Sequence, residues 1–394
     1  MTRLNTCVNT MAMLIISATN AAEDFTIHGF GTLATAYLSE DSADYVQQVI
    51  LQAEGFGASK NPSSAADAIL GLQMDYAFTE QLTATAQIVY RQGSDGDYGA
   101  DFSLALLRWN FDEVNYLRIG RIQNPQFLLS DNALVTFAKP WFRPRPEVYI
   151  QSPFPYLDGV AFHSQPSFLP PAIEVELGWS VLKNQDFFGG DRGEMLGPFA
   201  SIQWHSSNTQ FKLAYSDFDI SANVKGFSTI LDYMAQLDTE LAKQFQLEYH
   251  WRVLSASAEA LLGPWHLLAE ISQRDSYGIT PDLLAGYVTT EYQWHKHRPS
   301  LTLFALDSSI DIQPQGSPAE AIARSVLAYS DYDQYGAAVG YGYYWNDNLG
   351  LKIQVDYVHT KPHSYGLFIN HSADYQVHRS QDFVAYSIGF DFWF

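Results

Sequence analysis

The chain has a single cysteine, Cys7, in 394 residues. It stands before a short apolar run near the N-terminus, so the rest of the chain has no disulfide and no thiolate metal site to draw on. Long hydrophobic runs are missing too: no stretch approaches the roughly 18 to 20 unbroken apolar residues of a membrane helix. Basic residues are scarce. There are 22 Lys and Arg against 43 Asp and Glu, a formal net charge of −21, and this excludes nucleic-acid binding as a whole-surface property. Phosphate-cradling glycine loops and dinucleotide fingerprints are absent from any strand-to-helix context. Three His-Ser pairs occur, at His163-Ser164, His205-Ser206 and His371-Ser372, but none comes with a third polar residue to orient the imidazole. His359, His363, His371 and His378 gather near the C-terminus without metal-ligand spacing. We therefore expect no enzyme, no cofactor and no metal.

What the chain does have is aromatic alternation. Its last residues place Tyr386, Ile388, Phe390, Phe392 and Phe394 on one face, with Ala385, Ser387, Gly389 and Asp391 on the other. This is the period of a strand with one apolar face. An open sheet ending on such an edge invites aggregation, whereas a closed barrel in a membrane has no edge and needs an apolar exterior.

The same alternation recurs from Phe25 to the end. Ile173, Val175, Leu177, Trp179 and Val181 alternate with Glu174 and Glu176; Leu349, Leu351, Ile353, Val355 and Tyr357 alternate with Lys352, Gln354 and Asp356. Counting these segments gives about sixteen strands, an even number in the range of membrane barrels. The connections alternate long and short from end to end, as an up-and-down barrel requires when short turns gather at one rim and long loops at the other. Trp109, Trp204, Trp265, Trp294 and Trp345 all stand beside short turns, the place of an interfacial girdle. We expect an all-β, antiparallel, up-and-down transmembrane barrel. In the tenth strand the alternation changes parity between Val253 and Ala256. We read this as one long strand with a bulge near Leu254; splitting it raises the count to eighteen. Apolar residues at 227, 230, 231, 234, 237 and 241 predict an amphipathic helix over Phe227 to Leu241, inside an outer loop.

At the N-terminus, Arg3 precedes the apolar segment Met11 to Ala18 and small residues follow. This reads as an export leader over residues 1–22, cleaved after Ala21 or Ala22, with residues 23–394 forming one barrel domain.

Alternation turns Asp75, Arg91, Arg108, Arg118, Glu174, Glu176, Lys212, Glu259, Glu270, Arg274, Glu291, Lys352 and Asp356 inward. In lipid each base would cost roughly 2–4 kcal/mol near the midplane, so these charges imply a wet lumen unless all of them pair.

The terminal strand, ending in Phe after alternating aromatics, resembles that of Gram-negative outer-membrane β-barrels. The strand order resembles the sixteen-stranded porins. The resemblance implies that the loop after strand five folds inward and narrows the pore. That loop runs from Asn124 through Ser130-Asp131-Asn132 to Lys139-Pro140-Trp141-Phe142-Arg143-Pro144-Arg145-Pro146-Glu147-Val148-Tyr149. Its proline-rich part resembles a segment of porin-like proteins from marine and enteric γ-proteobacteria. Candidate constriction residues are Arg91, Arg108, Arg118 and Arg121 on the wall, with Asp131, Lys139, Arg143, Arg145 and Glu147 on the loop. Strict alternation turns Arg121 outward. The loop departs from general porins in carrying three cations, which leaves a locally positive eyelet open. The resemblance further implies outer-membrane localisation, contact with lipid and lipopolysaccharide, and a homotrimer. The row Tyr386, Ile388, Phe390, Phe392 and Phe394 is implied to be a signal to the barrel-assembly machinery. The implied function is passive diffusion of small hydrophilic solutes and ions. The alternatives are a substrate-selective or gated channel, and a barrel that is an enzyme, adhesin or receptor.

Overall fold

The computed structural model describes residues 24–46, 52–64, 66–93, 96–152, 154–170, 172–187, 191–223, 227–245 and 248–394. The expected leader, with Cys7 and both cleavage positions, lies outside the described residues.

Sixteen strands close into one barrel. They are β1 (Phe25–Leu38), β2 (Ile69–Ala77), β3 (Leu82–Gln92), β4 (Tyr98–Asn110), β5 (Tyr116–Gln123), β6 (Tyr156–Ser164), β7 (Ile173–Phe187) and β8 (Asp191–His205). The second half comprises β9 (Thr209–Asn223), β10 (Glu248–Leu262), β11 (Trp265–Ser276), β12 (Asp282–Tyr292), β13 (His297–Ser309), β14 (Gln334–Asn346), β15 (Leu349–Thr360) and β16 (Gln381–Trp393). Each pairs antiparallel with its neighbours in the chain, and β16 closes on β1 from Trp393↔Phe30 to Ala385↔Leu38. The eighteen-strand alternative falls. Closure leaves no unpaired edge, which is what a β-structure needs in lipid. No helix among the described residues is long and apolar enough to cross a membrane.

At the closing seam, aromatic rings of β16 lie over glycines of β1. A Cβ on Gly31 would stand 2.5 Å from the Phe392 ring, and one on Gly29 would stand 2.2 Å from the ring of Phe394. Phe394 also donates its N–H to the Gly29 carbonyl at 2.9 Å and accepts from Gly29 N–H at 3.0 Å. Tyr386, Ile388, Phe390 and Phe394 are exposed on the outer surface, with Phe392 half-buried. The five tryptophans beside short turns are all exposed there as well.

The bulge expected near Leu254 is absent. β10 pairs with β9 and β11 in unbroken register. Trp251 and Val253 point into the barrel and are 3% and 1% exposed, while Leu254 and Ala256 face out. The parity change arises because the inner face is itself apolar at that height.

The outer-loop helix is two helices and not one. In chain order the described helices are α1 (Pro146–Tyr149), α2 (Phe227–Leu237), α3 (Thr239–Lys243) and α4 (Glu320–Ala328). The break falls at Asp238, whose carboxylate leaves the helical path to accept the Leu241 N–H at 3.0 Å and so caps α3. Phe227, Met234, Leu241 and Phe245 pack on Ala319 and Ala323 of the α4 segment. The apolar face is thus satisfied by a second outer loop. Two-residue strands at Asp44–Tyr45, Phe56–Gly57 and Phe368–Ile369 form a small sheet that joins the first outer loop to the last.

Candidate functional site

The loop between β5 and β6 enters the barrel and lies along its inner wall. It is pinned strand by strand. Gln126 Nε2 donates to Ser255 Oγ of β10 at 3.1 Å, and Leu128 N donates to the Glu270 carboxylate of β11 at 2.8 Å. Trp141 Nε1 donates to Thr302 Oγ1 of β13 at 2.7 Å, and Phe142 N donates to Gln354 Oε1 of β15 at 3.0 Å. Lys352 Nζ donates to the carbonyls of Thr136 and Lys139 at 2.5 and 2.7 Å. Side chains reinforce these bonds. Phe127, Trp141, Val148, Tyr149 and Ile150 are buried in one cluster with Trp251, Leu268, Tyr287, Phe304 and Leu306 of the wall. Each such burial contributes on the order of 2 kcal/mol.

This packing corrects the expectation of a wet lumen throughout. On β10 to β16 the inward row is covered by the loop: Ser255, Glu270, Thr302, Gln354, Asp356 and Ser387 are all buried. On β2 to β7 the cover is partial: Gln73, Asp75, Thr85, Gln87, Arg108, Arg118 and Glu174 remain partly exposed, whereas Val89, Ser103, Leu104 and Glu176 are buried. The solvated part of the lumen therefore follows the β2–β7 side.

The candidate residues divide accordingly. Arg108, Arg118 and Asp131 face the solvated side. The Arg108 guanidinium lies 3.6 Å from the Tyr116 ring centroid, and Tyr116 in turn stacks on His163 at 4.4 Å. Arg118 pairs with Glu176 at 2.5 Å. Asp131 and Asn132 stand exposed on a single 3₁₀ turn of the loop, Ser130–Asn132. Arg91 is half-buried, higher on the same wall.

Four loop candidates are withdrawn from solvent. Arg143 pairs with Asp67 of the first outer loop at 2.5 Å and approaches Asp356 at 3.7 Å. Arg145 pairs with Asp356 at 2.8 Å and Glu147 at 3.3 Å, with the Phe304 ring 3.9 Å beneath it. Glu147 accepts from Gln334 Nε2 at 2.9 Å. Lys139 donates to the Ala133 carbonyl at 2.5 Å. All four are buried. A buried charge without a partner costs far more than one with a partner, and the acids at 67 and 356 supply partners that the loop lacks. These residues tie the loop to the wall and to the first outer loop.

Arg121 points away from the lumen. Its guanidinium takes Asp158 at 2.7 and 2.9 Å and the Phe102 carbonyl at 2.9 Å. It borders a groove of about 740 Å³ on the outer wall, between Phe102, Ile119, Val160 and Trp179.

Between loop and wall lies a gap of about 20 Å³, bounded by Ser130, Asp131, Leu134 and Val135 on one side and by Gln87, Ser103, Leu104 and Gln123 on the other. That is room for about one water molecule. Sequence reasoning missed Asp67, which sits in a polar stretch with no pattern to mark it. It also passed over Tyr116 and His163, whose inward parity on β5 and β6 was there to be read.

No family model matches the chain, and no curated protein matches it by sequence. Among solved structures it is similar to the anion-selective porin from Comamonas acidovorans, at 12% identity and a TM-score of 0.59 over 94% of this chain and 99% of that one. It is similar to Salmonella typhi OmpF, in a complex with daunomycin, at 13% identity and a TM-score of 0.57 over 94% and 97%. A trimer form of OmpT, an outer membrane protein of Vibrio cholerae, matches at 11% identity and a TM-score of 0.56 over 94% and 100%. The chain shares the fold of these proteins: a closed, sixteen-stranded, antiparallel multi-pass β-barrel.

Proposed function

We propose that the protein is a porin-type channel, not an enzyme, through which small hydrophilic solutes and ions diffuse passively. One observation carries the reading. An inward-folded loop is pinned along one side of the inner wall, and the inward charged side chains Asp75, Arg108, Arg118 and Glu174 on the other side remain partly exposed. Steric and electrostatic filtering at a constriction is what such an arrangement performs. The trimer form among the similar structures supports a homotrimer. An exposed aromatic row from Tyr386 to Phe394 supports the assembly role and lipid contact.

A second reading is favoured by the narrow gap: a gated or substrate-selective channel whose loop shifts to open it. Planar-bilayer recording of the purified protein tests both. Stable unit currents support the open porin. Currents that appear only after Trp141→Ala frees the loop favour the gated form. Silence in both proteins at every voltage sinks the channel reading.

A further inference from the structure

We infer that Arg274 holds a small inorganic anion, of chloride size, at the outer end of β11; this does not depend on the channel reading. Three guanidiniums are buried among the described residues: Arg143, Arg145 and Arg274. Arg143 has Asp67 at 2.5 Å, and Arg145 has Asp356 at 2.8 Å. Arg274 is 1% exposed and has no carboxylate partner among the described residues. Its register neighbours on β10 and β12, Val253 and Leu283, are apolar and buried. The Trp251 ring lies 4.4 Å from the guanidinium. Nη2 donates to the Pro281 carbonyl at 3.0 Å, and Nε is buried without a partner. Asp282, the acid whose charge reaches the group, instead accepts the Ser276 N–H at 2.6 Å. Tyr332, in the segment after α4, also lies within its field. The hydroxyls of Ser276 and Thr280 are neutral and bonded to each other at 2.7 Å.

Burying a full charge costs more than one carbonyl and one ring face return. Lys139 and Lys212 are also buried on backbone carbonyls, but an amine can shed its proton when desolvated. A guanidinium cannot, because it stays protonated at any physiological pH. The site therefore calls for a negative charge that the described residues around it do not supply. Burial sets the size of that charge. With the side chain 1% exposed, an organic acid is too large to reach it, and a monatomic anion is the class that fits. Once bound, the ion would fasten the turn at 277–281 to the wall, since Pro281 already takes one N–H of the same guanidinium.

Thermal unfolding midpoints of the purified barrel in detergent, taken at one ionic strength in potassium chloride and in potassium gluconate, test the inference. Gluconate is too large to enter. Chloride should raise the wild-type midpoint by about 2–4 °C over gluconate and then saturate, because an ion bound only by the folded state adds stability by mass action. Arg274→Met should abolish the difference. Glu240→Gln, an exposed acid on α3, should keep it. Equal wild-type midpoints in the two salts overturn the inference, and so does a difference that survives Arg274→Met. Should that variant fail to fold, wild-type crystals grown in bromide decide: an anomalous peak beside Arg274 Nε supports the site, and its absence overturns it. None of these measurements reads conductance, so the channel reading stands or falls separately.

Discussion

Arg143 of the third outer loop and Asp67 of the first lie 2.5 Å apart, both buried, joined across 76 positions of sequence. Ser387 Oγ accepts a further bond from the same guanidinium at 2.7 Å, so this one side chain ties the first loop, the third loop and the last strand together.

Asp67→Asn should therefore cost about 3 kcal/mol, because it leaves the buried guanidinium with a single carboxylate, Asp356, at 3.7 Å. The readout is the heat midpoint at which the compact barrel band is lost on an unboiled gel. Replacing both partners, with Asp67→Leu and Arg143→Met, should recover most of the loss, since an apolar pair of similar volume avoids the desolvation cost. An unchanged midpoint in the single variant would show that the clamp does not hold the loop.

Acid should loosen the last outer loop. His371 packs between Tyr365 and Tyr375, with ring centroids 4.4 Å from each, and its Nε2 is buried without a partner. Burial pushes this imidazole down to about 4, against an ordinary value near 6.5. The opened loop binds the proton more readily than the closed one. Stability is thus complete above pH 6.5 and is lost as pH falls toward 4. The loss should be on the order of 1–2 kcal/mol, less than the full shift implies because part of the ring reaches solvent. Hydrogen exchange over residues 361–380 should speed up between pH 7 and pH 4.5, after correction for the intrinsic rate, and His371→Phe should remove the change.

The seam gives a third expectation. Gly31→Val places a branched side chain where the Phe392 ring rests, with Leu70 Cδ2 only 2.8 Å from the new Cβ. Overpacking of this kind costs about 1–3 kcal/mol. The folded fraction should fall, and Phe392→Ala in the same chain should restore part of it. If Gly31→Val folds as well as wild type, the seat has no role in closure.

The outer surface was far more legible than the inner one. Lipid imposes one rule on every outward position, so the alternation in β7, β15 and β16 and the tryptophans at the short turns announce the barrel directly. Inner positions obey no such rule. Parity says that Asp356 and Lys352 point inward, but whether such a side chain meets water or a loop depends on chain more than two hundred residues away. Trp251 and Val253 show the consequence. Their greasy alternation reads as lipid-facing only on the assumption of a wet interior, and a loop core supplies an apolar interior instead. The candidate site divided along the same line. The partial exposure of Arg108 and Arg118 and the exposure of Asp131 follow from parity and loop position, while the burial of Arg143, Arg145 and Glu147 was not legible because their partners at 67, 334 and 356 have no local signature.

The loop's anchors carry a temporal meaning as well. Residues 124–155 emerge from synthesis well before the strands that hold them. Gln354, Asp356 and Ser387 lie on β15 and β16, and Asp391, buried beside Thr32, fixes the Lys352 that grips the loop from the wall. A barrel lacking β15 and β16 would keep the loop's anchors on β10, β11 and β13 and lose those that hold Phe142, Arg143 and Arg145. Fastening this part of the loop and completing the cylinder are then a single event, finished only when the last strands are in place.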